Sequence, residues 1–392
     1  MSKPFKTIDE QIELLRYRGM TIADDEVARH ALETLGYYRL SGYWYSFREH
    51  APEEALGCRS DLFIPGTSFD QVIRLYDFDT QLRVTVFKEL TKIEVSLRAI
   101  IGYEIGEVDP LLHLTATSLN ERAWNSAEQK ETRLYKDWKR RYQNSLKNST
   151  ETFVQHHVEN YGGTLPIWCA VHILDWGSLQ TLFSMLPKEI RRPIAAKLRL
   201  TPSVLDSWLN CLRVIRNISA HHSRFFNRSL SNTPTIPHNA SEIGIMGLSE
   251  AKNKCFDQLT LIQYLTCTMG LGDGTALPSV LATFPATDVV PLRATGTPDN
   301  WQSLPLWACE PTTWDTHTQH EGPPRNHRWL CGGPSLEGLA DRLRGARTVV
   351  HNHVGQGSTY ALGTVSVSWS HAAMRRPSRF DGVPMAQSRL TR

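Results

Sequence analysis

The chain has no stretch of about 18 uninterrupted apolar residues, so nothing in it reads as a membrane-spanning helix. It has no Cys-x-x-Cys pair. Its seven cysteines (Cys58, Cys169, Cys211, Cys255, Cys267, Cys309 and Cys331) form an odd, scattered set. That pattern argues against a structural zinc site or a disulfide framework and fits a reducing compartment. The opening, MSKPFKTIDEQIELL, lacks the apolar centre of a secretion signal, so a cytoplasmic location is expected. Strand signals are few, and no lysine follows Lys254.

What is present is ordinary for a soluble globular protein. There are 392 residues, with 43 Lys+Arg against 40 Asp+Glu and 41% hydrophobic. That length suits two domains or one large one, with enough apolar material for a core. The near-neutral total hides an asymmetry. Residues 308–392 carry ten arginines against six carboxylates, a charge of +4 set against +3 for the whole chain. This segment is broken by Gly, Pro, Ser and Thr and reads as an accessory or flexible tail. Thr348–Val350 and Tyr360–Trp369 are its candidates for a small β element.

The first 307 residues read as mostly helical. Ile8, Ile12 and Leu15 keep helical spacing, with Thr7 or Asp9 as a cap and Gly19 as a stop. A second helix is expected over about 24–35, followed by the aromatic cluster GYYRLSGYWYSF. Thr67 and Ser68 suit the start of a long helix from Phe69 to about Gly106. Val72, Leu75, Tyr76, Leu82, Val86, Leu90, Ile93, Leu97 and Ile101 give it a continuous apolar stripe. Asp77, Asp79, Arg83, Glu94 and Arg98 are assigned to its other face. A charged helix is expected over 120–147, and an apolar helix pair over 167–186, broken near Gly177. A further helix starts at Thr201-Pro202-Ser203, where threonine caps and proline fits the first turn. It turns Leu205, Trp208, Leu209, Leu212 and Ile215 inward and runs into RNISAHHSRFFNR (216–228). A last helix is expected over 249–270. The expected fold class is all-α.

The chemistry concentrates at the end of that penultimate helix. Asn217 and His221 are four residues apart and share a face; Arg216 sits one position round and can reach the same patch. Arginine offers a planar clamp for phosphate, and histidine the side chain that titrates nearest neutrality. Together they suit metal-free cleavage of RNA, in which a 2′-hydroxyl attacks the adjacent phosphate. Spacing alone does not decide for this reading. The same residues suit a helix C-terminus, where cations meet the last carbonyls. The tail repeats the spacing in Arg344 with His351 and Arg347 with His353, on no convincing helix.

Arg216-Asn217-x-x-Ala220-His221, followed by His222-Ser223-Arg224 and Asn227-Arg228, resembles the signature of HEPN-fold RNases. More closely it resembles the bacterial abortive-infection AbiD/AbiF-type family. Other blocks match in order: Lys3-Pro4 with Gln11, Leu14, Arg18 and Gly19; the run 37–43; Tyr76-Asp77-Phe78-Asp79 with Leu82-Arg83; Ile93-Glu94-Val95 with Leu97-Arg98; Leu165-Pro166-Ile167-Trp168; Gly177-Ser178-Leu179; and Gly296-Thr297-Pro298 with Trp301 and Pro305-Leu306-Trp307. The likeness spans residues 3–307 and leaves the tail unmatched. It implies an N-terminal helical region (1–66), a HEPN-like bundle (67–270), a closing segment (271–307) and the accessory tail (308–392). It further implies a homodimer that unites two Arg-x4-His motifs, and a metal-independent endoribonuclease of phage defence or of a toxin–antitoxin pair. Such an enzyme needs no cofactor or metal and is restrained by a noncoding RNA or an antitoxin protein. Arg216 and His221 would be catalytic, with Asn217 and His222 supporting and Arg224 and Arg228 contacting RNA. The alternative is a non-catalytic HEPN-type module that binds RNA, nucleotide or a partner.

Other residues carry two readings each. Glu94 and Arg98 either pair along their helix or orient the motif. Asp77 and Asp79 suit a metal poorly, since two positions on a helix diverge by about 200°. The aromatics 37–47 are either a packed junction or a stacking surface for bases. Lys136–Arg141 is a solvated face or a steering patch. His156, His157 and His172 have no cysteine or carboxylate at ligand spacing, and Cys211 suits the core.

Overall fold

The computed structural model describes residues 4–50, 59–285, 287 and 289–308, all within one compact unit. The Arg-rich tail from 309 on, with its expected β element and its two Arg/His pairs, lies outside the described residues. Twelve α-helices run through the described part, with two small antiparallel strand pairs, so the fold is all-helical as the periodicity indicates.

Three short helices come first: α1 (Ile8–Tyr17), α2 (Asp25–Thr34) and α3 (Tyr37–Trp44). Thr7 starts α1 with a reciprocal capping box to Glu10, and Asp24 caps α2 through the N–H groups of Glu26 and Val27. The strands β1 (Arg48–His50) and β2 (Arg59–Phe63) pair next to them. The aromatic cluster behaves mainly as a packed junction. Tyr43, Trp44 and Phe47 are buried, whereas Tyr38 stays exposed.

The spine is α4 (Phe69–Val108), forty residues that span about 60 Å. Ser68 and Gln71 close its first turn in a second capping box. Its apolar stripe is buried except at Tyr76, which stays partly exposed. One assignment from the sequence is corrected: Asp79 and Arg83 do not join the polar face but lie inside the core, at 0% and 3% exposure.

The chain continues through a small hairpin, β3 (Trp124–Asn125) and β4 (Lys130–Glu131), into α5 (Arg133–Asn148). Residues 120–131 are therefore not helical as expected. Trp138 of α5 is buried and donates its indole N–H to the Ser178 carbonyl at 2.9 Å. Then come α6 (Thr152–Tyr161), α7 (Ile167–Ile173), α8 (Trp176–Met185) and α9 (Lys188–Lys197). The break between α7 and α8 falls at Leu174–Asp175 rather than at Gly177. Asp175 makes it by accepting the Ser178 N–H at 2.6 Å as a new N-cap. The last helices are α10 (Pro202–Ala220), α11 (Cys255–Thr268), which starts six residues later than the spacing indicates, and α12 (Ala276–Ala282); α6, α9 and α12 have no counterpart among the expected helices. Helices α3, α7, α9, α10, α11 and α12 all pack on α4. No helix among the described residues is long and apolar enough to cross a membrane.

Candidate functional site

Helix α10 delivers the motif. Thr201 caps it, Pro202 occupies its first turn, and Leu205, Trp208, Leu209, Leu212 and Ile215 bury its inner face. The same periodicity leaves Asn217 exposed and Arg216 half-buried in the last turn. Arg216 lays its guanidinium over the Phe87 ring of α4, with Cζ 5.8 Å from the ring centroid. Its Nε is buried and unpaired, and no carboxylate bridges to Arg216 among the described residues. A cation thus waits beside an aromatic ring with its charge unanswered.

His221 caps the helix and its side chain is exposed. The chain then turns through a Schellman motif. The His222 N–H reaches the Ser219 carbonyl at 3.3 Å and the Ser223 N–H reaches the Ile218 carbonyl at 3.0 Å. Glycine usually takes the left-handed position of this motif; here it is His222, at φ +55°. Arg39 of α3 donates to the His222 carbonyl at 2.8 Å.

The next residues plunge into the core. Phe225 and Phe226 are fully buried, and both backbone N–H groups donate to the Asp79 carboxylate, at 3.2 and 2.6 Å. Tyr43 donates its hydroxyl to the same carboxylate at 2.7 Å, and Arg83 lies 3.2 Å from it. Burial pushes the Asp79 carboxyl up, and the Tyr43, Phe226, Arg83 and Phe225 donors pull it down. Asp79 is thus an anchor for the loop. No set of three metal-ligating side chains occurs among the described residues.

The other expected site residues distribute unevenly. Arg224 turns inward. Its Nη1 donates to the Phe226 and Asn227 carbonyls at 3.1 and 3.3 Å, and burial lowers its pKa, with Asp79 opposing. Arg228 stays exposed. Glu94 and Arg98 pair with each other, and Arg98 also donates to the His172 and Leu174 carbonyls at 2.9 and 2.8 Å. Their bonds therefore fasten the end of α7 to α4 rather than orienting Arg216 or His221. His157 gains a cysteine neighbour that sequence spacing did not show. Its Nε2 lies 3.9 Å from Cys169 Sγ, while its Nδ1 meets the Phe153 carbonyl at 2.8 Å.

Phe87 is the residue that sequence reasoning missed at this site; Arg39, Tyr43 and Asp79 stand in blocks it singled out, but without the role of holding the loop after α10. One signal did exist for Asp79 and Arg83. Asp79 stands four after Leu75 and three before Leu82, on the spacing of the apolar stripe itself, and Arg83 follows it by four, so the two could pair where a lone charge would be costly.

Comparison with known proteins adds one finding. Residues 30–227, just over half of the chain, match the family described as Abi-like protein, from within α2 to the loop after α10. Neither the curated proteins nor the solved structures provide a match.

Proposed function

The chain belongs to the Abi-like protein family, and from that premise we propose that it serves phage defence as a metal-independent endoribonuclease. The observation that carries this reading is that an exposed His221 ends the helix whose last turn carries Arg216, a half-buried guanidinium over the Phe87 ring with no carboxylate bridged to it among the described residues. His221 acts as the general base. It takes the proton of a ribose 2′-hydroxyl, whose oxygen then attacks the neighbouring phosphorus. The bond from phosphorus to the 5′-oxygen breaks as that oxygen takes a proton from water and His221 returns its own proton to water, leaving a 2′,3′-cyclic phosphate and a 5′-hydroxyl. Arg216 stabilises the charge that builds on the phosphoryl oxygens, as a planar and permanently charged guanidinium can. Asn217 and Arg228, both exposed, and His222 flank the phosphate path.

Two copies complete the site. The solvent side of α4 beside Arg216 carries Val84, Phe87, Thr91 and Val95 at helical spacing, with Val84 and Val95 66% and 58% exposed. An apolar stripe of this kind favours a self-complementary twofold contact, which would set two Arg216–His221 pairs near one axis. A noncoding RNA or an antitoxin protein that covers this end of α10 would hold the enzyme silent.

The test is cleavage of total bacterial RNA by the purified chain in excess EDTA, beside His221→Ala and Arg216→Ala. Wild-type cleavage with cyclic phosphate ends is expected, reduced about 10²–10⁴-fold by His221→Ala. Equal cleavage by all three proteins would remove the assignment. Binding of RNA without cleavage would favour the non-catalytic module.

A further inference from the structure

His222 occupies a backbone conformation that L side chains rarely adopt, with φ +55° in the position a Schellman motif reserves for glycine. Such a residue persists only when its surroundings over-determine it. Here the surroundings come from α3 and its extension, far away in sequence. The Arg39 guanidinium grips the His222 carbonyl from 183 positions upstream. Tyr43, one turn further along α3, fixes Asp79, which in turn holds the N–H groups of Phe225 and Phe226. Asn227, also left-handed at φ +46°, donates its side-chain amide to Ser46 Oγ at 3.0 Å. The stem of Arg224 lies against Gly42, where an added Cβ would stand 3.5 Å from Cδ and Nε. From 222 to 227 the loop is strapped to the segment 39–46 at three separate points, with Asp79 of α4 bridging a fourth through Tyr43.

We propose that α3 is the positioning element of the Arg216–His221 site, with Arg39 as the positioning residue that keeps His222 left-handed and so fixes where His221 points. The inference rests on the ribonuclease reading for its consequence in catalysis, but the strap itself is a property of the fold. Arg39 acts through the backbone of residue 222; it is not a group that touches substrate. Its Nη1 is committed to a carbonyl, as Arg224 Nη1 is committed to two. The strap makes the catalytic end of α10 dependent on a helix that carries none of the motif.

The experiment is a double-mutant cycle on the full chain, with Arg39→Ala, Arg39→Lys and His222→Gly, alone and Arg39→Ala combined with His222→Gly. Thermal unfolding comes first. Arg39→Ala is expected to lower Tm by about 3 °C, and His222→Gly to raise it. Combined with His222→Gly, Arg39→Ala should cost clearly less than in the wild-type background, because glycine adopts the left-handed turn unaided. Strictly additive shifts would overturn the proposal. Cleavage of a labelled single-stranded RNA comes second. Arg39→Ala should lower kcat on the order of tenfold with KM little changed, and Arg39→Lys should recover part of the loss. A rise in KM with a shallower salt dependence would instead mark Arg39 as a phosphate contact and overturn the positioning role. If the wild type does not cleave, the ribonuclease reading fails, and the thermal cycle alone still decides whether Arg39 holds residue 222.

Discussion

Asp79 has no surface exposed to water, yet it accepts bonds from a phenol and two backbone N–H groups and pairs with a guanidinium. Removing one member of such a buried network leaves the others uncompensated. Asp79→Ala should therefore cost about 3–5 kcal/mol, measured by urea unfolding, and Asp79→Asn less, since the amide keeps one acceptor oxygen. At this scale the sequence shows groups that act through short spacing and hides groups that act through tertiary contact. Arg216, Asn217 and His221 are legible because a helix converts separations of one and four into a shared patch. Asp79 was assigned to the wrong face, since a charged residue within an apolar stripe reads as an interruption until its partners are known. Arg39 and Tyr43 are marked only as members of the aromatic cluster, and Phe87 carries no local mark at all. Arg224, legible as a cation, spends its Nη1 on loop carbonyls instead.

Among the elements, apolar periodicity and capping residues place α1, α2, α4 and α10 nearly to the residue. The error at 120–131 has a local cause. Asn125 accepts the N–H groups of Ala127 and Glu128, and Asn120 sends its amide to the Ser184 and Leu186 carbonyls at 2.9 Å. Side chains that offer the backbone another partner compete with a helix even where charges resemble a helical face. The contact of α4 with α7 depends on a residue that has no side chain. A Cβ at Gly102 would stand 3.2 Å from both the Trp168 Cα and Val171 Cγ2. Gly102→Val would push branched carbons into that backbone and should destabilise the fold by at least about 1–3 kcal/mol, readable as a lower urea midpoint with an unchanged m value.

On the scale of the whole molecule, stability should fall with acid for an identifiable reason. His113 is fully buried against Trp138 and Tyr142, and neither ring nitrogen has a partner. Burial pushes its pKa down from 6.5 to about 4, with Asp109 pulling weakly the other way. The unfolded chain thus binds the proton first. The contribution is neutral above about pH 6.5, and stability is lost as pH falls from there towards 4, by about 3 kcal/mol in total. His113→Phe should remove that part of the slope. The check is the difference between the two unfolding curves at pH 7 and pH 4.5; parallel loss in both proteins would acquit the histidine. The proposed twofold gives a second prediction at this scale. The chain should sediment as a dimer, and Val84→Asp should yield a monomer that keeps its fold but loses RNA cleavage.

The strap around residues 222–227 also fixes when the site comes into being. Its receiving half, α3 and α4, leaves the ribosome more than ninety residues before the segment it receives. Domains fold largely from the N-terminus as they are made, but a contact 183 positions long has to wait for its second partner. A nascent chain therefore carries Arg39, Tyr43 and Asp79 long before it carries the segment 222–227 that they hold, and the strap closes only after residue 227 has emerged. On the ribonuclease proposal, products of interrupted translation that stop before α10 lack Arg216 and His221 and so carry no activity against the message and the ribosome that are making them.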